Sequence, residues 1–231
     1  MSSRNQILAA ARAALSTPND AHVRHAGTPQ AQMVQADRTA AIRSWLPFVG
    51  PSYEDQKAVF AECSGRLKTR FETVQTRDQA VAIVQSIAKE EAWTAVAAHH
   101  AEAPAALASS LGLPVVFADN GYDKDKLAAC EGGISGCLAL IAQTGSVFVT
   151  PDTAGGRALS VIPPHHVVIA HKDQMVSDLP AAWELLHARY GANLPSFTSI
   201  ITGPSRSGDI ERILVLGAHG PKKLTVILVE G

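Results

Sequence analysis

The sequence predicts a mixed, mostly parallel, helix-covered α/β sheet preceded by a helical extension. Apolar residues make up 46% of the 231 residues but aromatics only 5%, so the core must be packed by Ala, Val, Leu and Ile, as in sheets buried under helices. From Phe71 onward, short apolar runs of strand length alternate with segments of helical period. The length suits one substantial domain with a buried core.

Ile7, Leu8, Ala11 and Leu15 recur at helical spacing and predict an amphipathic docking helix, followed over 16–30 by a Pro-, Asn-, Gly- and Thr-rich connection. Helices are expected over 37–49 and 53–68, separated by Gly50-Pro51, the second with Val59, Cys63 and Leu67 on one stripe. This gives a helical extension over 1–50 and an α/β domain over 51–231. A strand over 71–74 leads into Thr76 and Gln79, a capping box that opens a helix to 91. Next come a strand over 94–98, a helix with Pro104 in its first turn, a strand over 113–118, an Asn120-Gly121 turn and a helix over 124–130. Strands over 137–142 and 146–150 flank Gln143-Thr144-Gly145 so closely that they read as a hairpin, which breaks the purely parallel pattern. A strand over 167–171, a helix over 178–190 and strands over 197–202 and 224–229 close the sheet. Ligands in such sheets sit beyond the carboxyl ends of the strands, where Gly145, Gly203 and Gly217 are expected to cluster.

A formal net charge of −1, with no long basic run and no basic–aromatic interleaving, gives no support to a nucleic-acid surface. Cys63, Cys130 and Cys137 lack CxxC spacing and cannot furnish four thiolates for an iron–sulfur cluster. They read as buried small side chains, and neither a metal nor a cofactor is assigned. No apolar span reaches membrane length and the N-terminus has no signal-peptide core, so a soluble cytoplasmic protein is expected.

The chemistry concentrates in Ile200-Ile201-Thr202-Gly203-Pro204-Ser205-Arg206-Ser207-Gly208-Asp209-Ile210-Glu211. A β-branched run stops at Gly-Pro, and hydroxyls, a guanidinium and acids follow within a few positions. Glycines let successive N–H groups converge on an anion, and Arg206 adds a forked donor for carboxylate or phosphate. The competing reading is that Arg206 pairs with Asp209 or Glu211 and fastens the loop. Thr144, Gly145 and Ser146 offer either an anion grip or a tight turn. Arg157, beside Gly155-Gly156, is a second candidate cation, although its surroundings match neither a P-loop nor GxGxxG. His165 and His166 begin a strand, so their rings point to opposite faces and only one can face a site. His166 is placed in the pocket here. His219, between Gly217 and Gly220, keeps a reachable ring. The expected small-anion pocket is therefore Thr144, Gly145, Ser146, Arg157, His166, Thr202, Gly203, Ser205, Arg206, Asp209, Glu211, His219 and Gly220.

QTGS, GGRALSVIPPHH, ITGPSRSGDIE and LGAHGPKKLTVILVE, collinear over 132–231, resemble the LUD-domain family. The family pattern reads ETGT, PPxHI, GPSRTADIE and LGVHGP, so the chain departs at Gln143, Ser146, Val167, Ser207, Gly208 and Ala218. The resemblance implies a fold like the NagB, ribose-phosphate isomerase and CoA-transferase group. It also implies an accessory, non-redox part in oxidation of L-lactate to pyruvate, beside iron–sulfur partner proteins that carry the clusters. The alternative is a free-standing isomerase or CoA-transferase-like enzyme acting on a phosphorylated or CoA-linked metabolite. CoA transferases of that group attack with a glutamate in a Glu-x-Gly turn, and Gln143 stands at the similar position. An amide cannot form their acyl intermediates, which disfavours covalent CoA transfer.

Overall fold

A computed structural model describes residues 45–119, 121–207, 215–217 and 219–231. The chain divides into two compact units at Leu46/Pro47, and the described residues lie almost wholly in the second. The helix expected over 7–15 and most of that over 37–49 fall outside the described residues. Residues 47–49, on Pro47, are not helical.

In chain order the elements are α1 (Tyr53–Arg66), β1 (Arg70–Val74), α2 (Arg77–Glu90), β2 (Val96–Ala98), α3 (Glu102–Ser109), β3 (Val115–Phe117), α4 (Lys124–Ala128) and β4 (Gly132–Ser135). They continue as β5 (Ala139–Ile141), a 3-10 turn (Ala142–Thr144), β6 (Ser146–Val149), α5 (Pro151–Ala154), β7 (His165–His171), β8 (Met175–Val176), α6 (Leu179–Tyr190), β9 (Ser199–Ile201), β10 (Arg206–Ser207), β11 (Val215–Leu216) and β12 (Lys223–Val229). The caps explain several starts. Ser52 and Asp55 form a capping box on α1, Thr76 and Gln79 form the expected one on α2, and the Asp178 side chain accepts from the Ala181 amide on α6.

Six parallel strands form the main sheet in the order β1-β12-β7-β4-β2-β3. Its central strands read as near-continuous apolar runs because both faces are covered. On one face Val167, Ile169, Ile227 and Val229 pack under Ala80, Val84 and Ile87 of α2 and Leu107 of α3. On the other, Leu224, Val226, Leu228, Val168 and Ala170 meet Phe60 of α1 and Leu140, Val147 and Val149 of a second sheet. That sheet, in the order β8-β5-β6-β9, contains the expected β5–β6 hairpin and is covered in turn by Ala182 and Leu186 of α6.

The mixed α/β reading holds, although the short strands β8, β10 and β11 were not expected and two further strands differ. The strand expected over 197–202 joins β6 in the second sheet and does not close the main one. β4 had no strand signal, because Gly132-Gly133 reads as a loop. A Cβ on Gly132 would lie 2.3 Å from the Trp93 ring and one on Gly133 2.9 Å from Pro163, so close packing over the backbone demands glycine there.

Candidate functional site

Three neighbouring strands of the main sheet begin at one edge. Arg70 opens β1, His165 opens β7 and Lys223 opens β12, with Lys223 opposite His165 and Arg70 opposite Thr225 in the ladders. Between these amino ends and the loop carrying Pro204 and Arg206 lies a cavity of about 510 Å³, lined also by Lys68, Glu90, Glu91, Lys222, Leu224 and Thr225. Its volume falls in the ordinary range for small-molecule sites.

The wall is a continuous hydrogen-bonded row. Strand periodicity turns His165 to the α2 side with Val167 and Ile169, and Glu91 follows the last turn of α2 on that side. The Glu91 carboxylate accepts from Lys223 Nζ at 2.9 Å, from Trp93 Nε1 at 3.1 Å and from His165 Nδ1 at 3.0 Å. A carboxylate only accepts, so Nδ1 carries the ring proton and Nε2 accepts from Thr225 Oγ1 at 2.9 Å. The Trp93 ring meets the imidazole edge to face at 5.6 Å. Burial pushes His165 below the ordinary histidine range, and Glu91 offsets this only in part. Burial alone would raise the Glu91 carboxyl, but the hydrogen bonds from His165, Lys223 and Trp93 outweigh it and hold Glu91 below the usual carboxylate range. The resting state is a neutral imidazole between a carboxylate and a hydroxyl.

Two of the cations are placed by backbone geometry. Lys68, in the turn that follows α1, has φ +67, in the left-handed region that favours glycine. Lys222 lays its stem across Gly217, where a Cβ would lie 2.2 Å from Lys222 Cγ. Arg70 pairs with Glu72 at 2.9 Å, and Arg206 donates to the Leu67 carbonyl.

Of the expected pocket residues, Arg206 lines this cavity. Its neighbours tie the loop in place. Ser205 N–H donates to the Pro221 carbonyl at 2.8 Å, His219 N–H donates to Ser205 Oγ at 3.4 Å, and Gly220 lies against Ser205. Thr202 Oγ1 and Ser146 Oγ are 2.9 Å apart. Gly145 and Gly203 both pack on the last turn of α1, so they gather at its end and not at the carboxyl edge of the main sheet. Thr144 Oγ1 is buried without a partner. Arg157 is held elsewhere, donating to the Ser196 carbonyl at 3.0 Å and lying over the Phe197 ring. His166 is fully buried on the opposite face of β7. Its Nε2 meets Ser135 Oγ at 2.8 Å, and burial pushes its pKa down to about 3. His165, and not His166, is thus the imidazole at the cavity. Asp209 and Glu211 lie outside the described residues.

The Gln143 side chain donates to the Pro47 carbonyl at 3.1 Å and does not line the cavity. Glu131 is likewise committed, accepting from the Thr94 and Ala95 amides at 3.0 Å. The sequence reading missed Lys68, Arg70, Glu91, His165, Thr225, Lys222 and Lys223. The one local signal was Lys222-Lys223 at the start of an apolar strand after Gly220-Pro221. Among the described residues, no three metal-ligating side chains converge.

The family model of the LUD domain matches residues 58–229. Lactate utilization protein C 1 of Bacillus mycoides is 36% identical over 104 residues, 44% of each chain. Lactate utilization protein C of Bacillus subtilis is 35% identical over 116 residues, 49% of this chain and 48% of that one. The similarity therefore spans about half the length of these relatives. The crystal structure of a DUF162 family protein from Deinococcus radiodurans superposes with a TM-score of 0.60, covering 79% of this chain and 100% of that one at 20% identity. At that identity the likeness shows the fold alone.

Proposed function

This chain belongs to the LUD domain family, and from that premise we propose that it is an accessory, non-redox subunit of an L-lactate utilization system. In this reading 51–231 is the LUD domain, 1–50 is an extension that precedes it, and the protein works in the cytoplasm beside iron–sulfur proteins that oxidise lactate to pyruvate. The names of its relatives support the pathway. No helix among the described residues is long and apolar enough to cross a membrane.

The observation that carries the anion-binding part is the cationic cavity, where five Lys and Arg side chains face two carboxylates. Assigning clusters to partners is supported by the thiols, which are buried singly. Among the described residues none of them stands in a group of three ligating side chains. The test is reconstitution. Lactate-dependent dye reduction by purified iron–sulfur partners should rise when the chain is added, and no response to its addition would sink the reading.

A second reading, a free-standing isomerase or transferase acting on a phosphorylated or CoA-linked metabolite, is favoured by the Thr225–His165–Glu91 row. A neutral imidazole that accepts from a hydroxyl and donates to a carboxylate is poised to take a proton. Turnover of such a metabolite by the isolated chain would favour it over the accessory role.

A further inference from the structure

We propose that the cavity takes a small organic phosphate, bound as a dianion, in preference to a monocarboxylate such as lactate. The inference rests on reading the cavity as an anion site. Its lining carries five cations against two carboxylates, Glu90 and Glu91, and Glu72 beside Arg70 brings the local excess to two positive charges. Glu91 neutralises Lys223, and Glu72 pairs with Arg70. Lys68, Lys222 and Arg206 then have no carboxylate partner among the described residues. A monocarboxylate would leave half of that excess unmatched, whereas a phosphate ester brings about −1.5 to −2 charges and three acceptor oxygens.

The cations are placed at a cost to the fold. Lys68 occupies a left-handed position in the turn that follows α1, where glycine would sit without strain. That angle closes α1, with Lys68 N–H donating to the Gly65 carbonyl and Thr69 N–H to the Ser64 carbonyl, both at 3.0 Å, so the cap fixes where the ammonium stands in the cavity wall. Lys222 reaches its position only because Gly217 has no side chain beneath its stem. Both are point charges suited to phosphate, while Arg70 and Arg206 add forked donors. The volume of about 510 Å³ exceeds what inorganic phosphate or lactate fills, and Pro204 gives a carbon portion an apolar surface. His165 stays neutral and hydrogen-bonded at both nitrogens, so it adds no fixed charge.

Calorimetry on the full chain at low salt tests this with four probes: glycerol 3-phosphate, inorganic pyrophosphate, succinate and L-lactate. At least one phosphate probe should bind about tenfold or more tightly than lactate and succinate. Lys68→Gly should weaken that binding by about tenfold or more while the melting temperature holds or rises, because the strain is relieved. Lys222→Met should weaken it likewise. Succinate or lactate binding as tightly as phosphate, and weakened by these changes, would overturn the phosphate preference but leave the anion cavity standing. Phosphate binding indifferent to Lys68 and Lys222, or no binding by any probe, would overturn both.

Discussion

Gln143 shows how one side chain can answer a mechanistic question. Its amide donates to the Pro47 carbonyl at 3.1 Å, and a carboxylate there would set acceptor against acceptor. Gln143→Glu should therefore cost about 1–3 kcal/mol in urea unfolding, the usual penalty for stranding a partly buried partner. It should create no hydroxylamine-sensitive acyl adduct with a CoA thioester. An unchanged urea midpoint would show that the amide is idle. The histidine pair shows where residue-level reading stops. Alternation along a strand says that His165 and His166 face opposite ways, but not which way leads to a cavity. That is decided by Glu91, 74 residues earlier, at the end of a helix packed on the His165 side. The same helix hides the row's function from any local motif, because Thr225 and Lys223 come from yet another strand.

Elements were legible wherever a start signal or a period was local. The Thr76–Gln79 box, the α6 start and the β5–β6 hairpin follow their sequence signals. β4 was not, since its glycines are set by Trp93 and Pro163 pressing on them from elsewhere. Which sheet β9 joins was equally invisible, because a short apolar run fits either ladder. Gly145 is the sharpest test of how elements dock. It sits at φ +61, and a Cβ there would lie 2.4 Å from Ser64 N and 2.7 Å from the Cys63 carbonyl carbon, so the hairpin turn and α1 meet backbone to backbone. Gly145→Ala should cost about 3 kcal/mol or more, combining left-handed strain with a shift of α1. Gly156, at φ +91 with open space around its Cβ position, supplies the control. Gly156→Ala should cost only the conformational part, about 1–2 kcal/mol. Equal losses in melting experiments would mean that the α1 contact is not tight.

At the scale of the whole molecule, the sheet class followed from composition and period, whereas the cavity did not. It exists because three strands distant in sequence start side by side, and net charge conceals it: the chain totals −1 while the cavity lining is positive. The same stacking of layers buries imidazoles, and this sets the acid limb of stability. Burial lowers the pKa of His166 to about 3, with the charge of His165 adding to the effect, and it lowers His165 and His99 as well. For a base depressed on folding, the unfolded chain binds more protons below its own pKa of about 6.5. Stability is therefore full above about pH 6.5 and is lost as pH falls from there toward the folded value. For His166 alone the loss at pH 5 is about 2 kcal/mol. The carboxylates held low, Glu91, Asp119 and Glu131, act in the same direction but only at lower pH. Urea midpoints should thus fall between pH 7 and pH 5, above the range in which Glu91, Asp119 and Glu131 act. His166→Gln, which keeps a donor for Ser135 Oγ and cannot take a proton, should flatten that slope. A wild-type midpoint constant across this interval would mean that His166 reaches solvent, and the packing of the second sheet against β7 would then be looser than its buried contacts indicate.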